Sequence, residues 1–564
     1  MLNATEITNE LVDEQIAKAN GGQLTIPAAH ATQNRTQTIH ALKLLAWLII
    51  DARPFSLSNS RRFREFMADF GYIPPSTRQL RRYTFLLVNG VNAMIRSKVK
   101  QLEFVSAAID EWSSATLVPF LSICYQGFTN DMELLTFEDL VPFPAPHTAE
   151  RYRMVIKQCI QDRAPSSNIT LCALTSDGGR AGQNACQSIV GDGDALWCLA
   201  HLLQLIVNDV LKSSDNPYAN DIRLVRTWVL EIRSHIITRQ QLVTEEELAG
   251  VKEQQLILDV ATRWNSVHNM ITVFLKLWPA ISKLSEKGKL NEYITPEDNI
   301  TDEVIDRLRA CSSVLQHFAM VTEMASAKSY PPIVYTFKWL THLKLILNIN
   351  PTDSQLAADF KRLLLDSFTT RISPQLEKPS LLHIASVLDP LQHALPNQEL
   401  ANDVDKGIIK EILLLNPSRK LGTGETIPAA SKAAAVQELA AYHAFVDANK
   451  EVINRNLTET PSWGPEAHQK LARWWATKSS LFPLLFRIAR AILAIPATST
   501  NCERAFSAAG NQFAIKRRSM DPETLTALCL IQGNIGESSL DELIEAAISQ
   551  AETQEEDEEE EEDQ

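Results

Sequence analysis

Apolar residues recur along this chain with two spacings, and the change from one to the other divides it. Through residues 1–100 the spacing is helical: 11–19 is short and amphipathic, 21–33 reads as loop, and 36–51 is a strongly apolar helix ended by Pro54. Residues 58–70 predict a capped amphipathic helix with Phe63, Phe66 and Phe70 on one side. Pro74-Pro75-Ser76 opens the next helix, whose early face carries Arg78, Arg81 and Arg82. From about residue 101 the pattern turns strand-like. Residues 104–109, 117–125 and 132–137 predict three antiparallel strands, with Gly127 and Asn130-Asp131 as turn chemistry.

A helix over 148–161 then leads to a fourth strand at 169–176. Gly178-Gly179 permits a sharp departure into another helix, and 195–199 is a short fifth strand. Three hairpin-linked strands followed by alternating helices and strands is an RNase H-like order, and its closing helices are absent at that point. The long stretch beyond is helical, with segments at 202–211, 221–237, 244–260 and 266–277 and more through about 449. Helices from Pro465 onward, an apolar run at 481–495 and a helix at 522–531 bring the chain back. The expected fold is an α/β RNase H-like core interrupted by a large all-helical insertion, preceded by an N-terminal helical region. Its divisions fall at 1–100, 101–201, 202–470, 471–545 and 546–564. A long insertion costs little once the two halves of a sheet meet, because closure entropy grows only logarithmically with length.

At 564 residues the chain is too long for one ordinary core. Its formal charge is −14, but ten acidic residues lie between Glu552 and Asp563, leaving a nearly balanced body. The tail therefore reads as a disordered solubilising or interaction segment. Residues 51–100 hold ten Lys or Arg against three Asp or Glu, a surplus that suits phosphate or a solvated face. Eight cysteines form no C-x-x-C pair, which reads as buried, reduced thiols. No secretory leader and no membrane-spanning apolar run are visible.

Asp110 and Asp177 stand at the ends of predicted strands, and Glu503 lies three residues beyond the cap candidate Thr500. Three carboxylates converging at strand ends would form a site for Mg2+ or Mn2+, since hard oxygen donors suit these ions. Two such ions can activate a hydroxyl and stabilise a leaving phosphate oxygen. The bland readings are turn residues for the aspartates and a capping box for Glu503. Cys198-Leu-Ala-His201 is half a zinc site without a second half, leaving His201 as a phosphate contact or a structural histidine. Arg263 suits a phosphate, and Trp264 is either a base-stacking platform or a core anchor. Lys516-Arg517-Arg518 offers DNA backbone contact or part of a nuclear signal.

The chain resembles the hAT superfamily of DNA transposases and their domesticated relatives. The resemblance rests on Leu471-Ala-Arg-Trp-Trp475, Cys502-Glu-Arg-Ala-Phe-Ser507, Asp110-Glu-Trp-Ser-Ser114, Thr175-Ser-Asp-Gly178, Cys198-Leu-Ala-His201, Thr262-Arg-Trp-Asn-Ser266 and Ile384-Ala-Ser-Val-Leu-Asp-Pro390. It implies that Asp110, Asp177 and Glu503 are the catalytic, metal-holding DDE carboxylates, that His201 neighbours them, and that Arg263 and Trp264 contact a DNA end. It further implies magnesium-dependent cleavage and transfer of double-stranded transposon-end DNA in the nucleus by a homodimer or larger assembly. The C-terminal region would pair subunits, with the apolar helices at 481–495 and 522–531 contributing. The alternative is a catalytically inactive, domesticated DNA-binding and dimerisation protein. The absence of a zinc-finger ligand set in residues 1–100 and the acidic tail motivate it; the chain also departs from the family pattern in Leu-Gln-His after Asp389-Pro390 and in Asn501-Cys502 ahead of Glu503.

Overall fold

The computed structural model describes residues 31–114, 118–164, 169–191, 193–213, 216–250, 252, 254–260, 264–290, 294–327, 330–392, 394–415, 429–457, 464–512, 521–535 and 540–562. The chain divides into two compact units, one formed by Met1–Trp197 with Leu471–Gln564 and the other by Cys198–Lys470. Helices α1 (Ala31–Ile50), α2 (Arg61–Ala68) and α3 (Thr77–Val99) precede strands β1 (Phe104–Ser113), β2 (Pro119–Phe128) and β3 (Leu134–Pro142). Then come α4 (Ala149–Arg163), β4 (Thr170–Ser176), α5 (Arg180–Val190) and β5 (Ala195–Trp197).

The second unit runs through α6 (Leu199–Leu211), α7 (Pro217–Ser234), α8 (Ile236–Leu248), α9 (Trp264–Glu286), α10 (Asp302–Ala325), α11 (Ile333–Leu347) and α12 (Gln355–Arg371). Helices α13 (Ser373–Glu377), α14 (Leu381–Val387), α15 (Gln398–Leu414), α16 (Ala429–Ala448) and α17 (Lys450–Leu457) come next. After α18 (Pro465–Lys478), the helices α19 (Pro483–Ile492), α20 (Thr500–Gln512), α21 (Pro522–Asn534) and α22 (Leu540–Glu562) belong to the first unit.

The five strands form one sheet in the order β3-β2-β1-β4-β5. The β1/β2 and β2/β3 pairs are antiparallel, while β1/β4 and β4/β5 are parallel. This mixed sheet with its flanking helices is an RNase H-like core carrying a large helical insertion. The hairpins extend beyond the stretch of clean alternation, pairing Ser113 with Pro119 and Phe120 with Pro142. Backbone pairing continues through mixed-polarity positions such as Glu111-Trp112-Ser113, where side-chain pattern alone ends early.

Alternation along β1 sends its residues to two cores. Val105, Ala107 and Ile109 join the larger cluster with Leu45, Leu87 and Leu543, whereas Ala108 joins a smaller one with Phe120, Cys502, Phe506 and Leu525. The C-terminal segment thus covers a sheet face that the first 197 residues leave open. The Thr175 hydroxyl donates to the Pro496 carbonyl at 2.5 Å, the Cys502 thiol to the Ala108 carbonyl at 3.3 Å, and Arg487 Nε to Glu103 at 2.9 Å. Asn534 exchanges two hydrogen bonds with the Glu138 backbone, at 3.0 and 2.9 Å, and so blunts the sheet edge at β3.

Several expectations shift. Of the aromatic residues expected on one side of α2, Phe63 is half-buried while Phe66 and Phe70, the latter just beyond the helix, are exposed and meet edge to face at 5.1 Å. The helix expected over 244–260 ends at Leu248, where Gly250 adopts φ +66°, and residues 254–260 run irregularly with Asp259 gripped by Arg226 at 2.6 Å. The tail expected to be disordered from 546 instead continues α22 to Glu562. Leu543, Ile544, Ala547, Ile548 and Ala551 anchor it with helical spacing in the larger core. They reach α3 at Gly90, where an added Cβ would stand 2.8 Å from the Ala547 Cβ and the Leu543 carbonyl.

Candidate carboxylate site

Asp110, on the same side of β1 as Ala108, faces the segment that leads into α20. It is half-buried near the strand's C-terminal end, with Oδ1 accepting the Glu111 amide at 2.8 Å and Ser499 donating to the carboxylate. Burial, together with Asp177 and Glu503, pushes its pKa up to about 7, against the pull of those two hydrogen bonds. Burial is the largest cause of that rise, and the Asp177 and Glu503 carboxylates add to it.

Asp177 directly succeeds β4. Its Oδ1 accepts the Gly179 amide at 3.0 Å, and the intervening Gly178 has φ +94° with Trp197 ring atoms 2.9 Å from where a Cβ would lie. Glycine is required there both by backbone conformation and by the indole above it. Glu503 is exposed in the first turn of α20. The helix begins at Thr500, and the Ser499 carbonyl accepts the Cys502 and Glu503 amides at 2.9 and 3.3 Å. Ser499 therefore takes the cap position in place of Thr500, which puts Cys502 at the third helical position and leaves Glu503 one residue beyond the register of a capping box.

The opposite side of β1 holds groups that sequence reasoning missed. Glu111 accepts the Tyr152 hydroxyl and pairs with His147 Nδ1 at 2.5 Å. Burial and the Glu111 carboxylate raise the Tyr152 hydroxyl above its usual range, with Asp177 and Asp110 adding to the effect. Glu111 was legible only as the neighbour of Asp110; its partners come from the loop before α4 and from α4 itself.

The other candidate residues scatter more widely. His201 is half-buried in the first turn of α6, in the other unit. Trp264 is buried, 3% exposed, with Phe318 edge-on at 6.4 Å, so its packing is that of a core anchor and not of an exposed stacking platform. Arg263, Lys516, Arg517 and Arg518 lie outside the described residues. Arg78, Arg81 and Arg82 are exposed on the first turns of α3, which opens with a full capping box between Ser76 and Gln79. The apolar faces of α19 and α21 are used inside the chain, with Leu485, Ile488, Leu525 and Leu528 all buried.

Three carboxylates suit a hard divalent cation chemically, and the raised Asp110 pKa reports burial first and the neighbouring Asp177 and Glu503 carboxylates second. Among the described residues, however, no three His, Cys, Asp or Glu side chains stand together as a ligand cluster. Nor is any described helix long and apolar enough to cross a membrane.

Residues 453–535 match the family profile of the hAT family C-terminal dimerisation region, and residues 196–306 match that of the ZBED1 RNase-like helical domain. The chain is 22% identical over 228 residues to the human "Zinc finger BED domain-containing protein 4", covering 40% of this chain and 19% of that protein. It is 21% identical over 544 residues to the Zea mays "Putative AC transposase", covering 87% of this chain and 64% of the maize protein. The chain therefore spans less than two thirds of the length of either relative. The dimerisation-region match and the long alignment to the maize protein both point to the hAT superfamily.

Proposed function

We propose that this chain is a transposase-derived protein that pairs with a second copy and contacts double-stranded DNA in the nucleus. The observation carrying this reading is the match of residues 453–535 to a dimerisation region. Because α19 and α21 bury their apolar faces internally, pairing would use the outward surfaces of this region. Arg78, Arg81 and Arg82 are exposed at a capped helix start, where the helix dipole adds to their attraction for phosphate. Sedimentation of the purified protein with and without duplex DNA tests it: a dimer with salt-weakened DNA affinity is expected, and a monomer with no DNA affinity overturns it.

A second reading, metal-dependent cleavage and transfer of transposon-end DNA, is favoured by the elevated Asp110 pKa. Asp110, Asp177 and Glu503 would hold the cations. The chemistry supplied by bound Mg2+ or Mn2+ is activation of an attacking hydroxyl and stabilisation of a leaving phosphate oxygen. Ser499 and the Glu111 amide would orient the Asp110 carboxylate, and Asp177 is held by the turn at Gly178-Gly179. Arg263 would meet DNA phosphate, and Lys516, Arg517 and Arg518 would contact the DNA backbone. Incubation of end-containing DNA with Mn2+ separates the two readings: strand breaks lost in Asp110→Asn, Asp177→Asn and Glu503→Gln support catalysis, and an intact duplex supports the first reading.

A further inference from the structure

The helical unit holds a pair of side chains that neither proposed activity uses. His317 on α10 and His342 on α11 face each other with Nδ1 of the first 3.4 Å from Nε2 of the second. Their ring centroids are 5.4 Å apart at an interplanar angle of 61°. That separation is long for a nitrogen–nitrogen hydrogen bond, since such donors favour about 2.7 to 3.2 Å. The steep angle also prevents the rings from stacking.

It does match another geometry. Two imidazole nitrogens bound to one tetrahedral zinc, each about 2.0 to 2.1 Å from the metal, lie about 3.3 to 3.4 Å apart. The two atoms come from different helices, and both side chains are half-buried, which limits their motion while leaving a solvent path. The nearby cation Lys361 is engaged by Asp353, with Nζ 2.8 Å from both carboxylate oxygens. Its charge is thereby balanced within its own pair.

We propose that His317 and His342 form a two-histidine site for a divalent first-row transition metal, such as zinc, that clips α10 to α11. Imidazole nitrogen suits Zn2+, Ni2+ and Cu2+ and disfavours Mg2+ or Ca2+, so the site is chemically distinct from the carboxylates of the sheet unit. Because no third His, Cys, Asp or Glu completes a cluster among the described residues, water fills the remaining positions. Affinity is correspondingly lower than in a four-ligand structural site.

Cu2+ loaded at one equivalent onto the full chain tests this by electron paramagnetic resonance, alongside thermal unfolding with and without Zn2+. The expected result is a superhyperfine pattern of two equatorial imidazole nitrogens and a midpoint that rises with Zn2+ but not with Mg2+. Both signals should disappear in His317→Gln/His342→Gln, and each single variant should leave one nitrogen coupling. Glutamine approximates the imidazole's length and polarity, and circular dichroism at unchanged helix content establishes that the variants fold. Retention of both signals in the double variant, or their absence in the wild type, overturns the proposal.

Discussion

Acidic side chains are treated differently in different parts of this molecule. In the helical unit Asp221 meets Arg307 at 2.7 Å, Asp259 meets Arg226 at 2.6 Å, and Asp353 meets Lys361 at 2.8 Å. The sheet unit also pairs acids away from the strand ends, holding Asp139 with Arg163 and Glu103 with Arg487 and Arg490. At the end of β1 the charged groups bearing on Asp110 are instead two more carboxylates. Asp221 and Asp139 are thus paired with arginines, whereas Asp110 is held above its usual pKa by burial first and by two neighbouring carboxylates second.

That contrast can be broken from the helical side. Asp221→Ala removes two hydrogen bonds from the Arg307 guanidinium to a buried carboxylate and leaves it the exposed Glu303, which should cost about 3 kcal/mol in denaturant titration. Asp110→Asn should act in the opposite direction. The folded pKa of about 7 lies above the ordinary aspartate value of 3.8, so ionising Asp110 opposes folding; the penalty is absent below about pH 4, grows through about pH 7 and is complete above it. Unfolding at pH 8 should therefore show Asp110→Asn more stable than the wild type by on the order of 3 to 4 kcal/mol, with the gain gone at pH 4. Mn2+ should stabilise the wild type at pH 8 and do less for the variant if the carboxylates hold metal.

Two smaller tests sharpen the comparison. Gly90→Ala pushes a methyl into Ala547 and the Leu543 carbonyl and should lower the unfolding midpoint by an amount equivalent to about 2 kcal/mol, sparing the helical unit. Replacing Arg78, Arg81 and Arg82 together with alanine should leave stability unchanged. It should flatten the dependence of log affinity for duplex DNA on log salt by about 3 if each meets a phosphate.

Much of this was legible in the chain's pattern. Strand alternation gave the five strands, and Asp110 and Asp177 were singled out because a strand's C-terminal end is where such sheets expose polar groups, although β1 runs on from Asp110 to Ser113. Other features depended on partners that no local window contains. Trp264 looked equally suited to solvent or core until α10 brought Phe318 beside it. The acidic run at the C-terminus obscured the stripe from Leu543 to Ala551, whose meaning depends on α3 more than four hundred residues earlier. The helix expected across 244–260 failed because one glycine with positive φ outweighs several residues of helical spacing.

The hydrogen bonds from Thr175 to Pro496 and from Cys502 to Ala108 carry a consequence for synthesis. A ribosome delivers all five strands and then hundreds of further residues before the segment that covers Phe120 and Cys124 emerges. Throughout that interval the nascent sheet presents an oily face to water, a natural target for holding chaperones. Truncated translation products ending inside the helical unit would keep that face permanently bare and should be cleared or aggregate, making completion of the chain its own quality check.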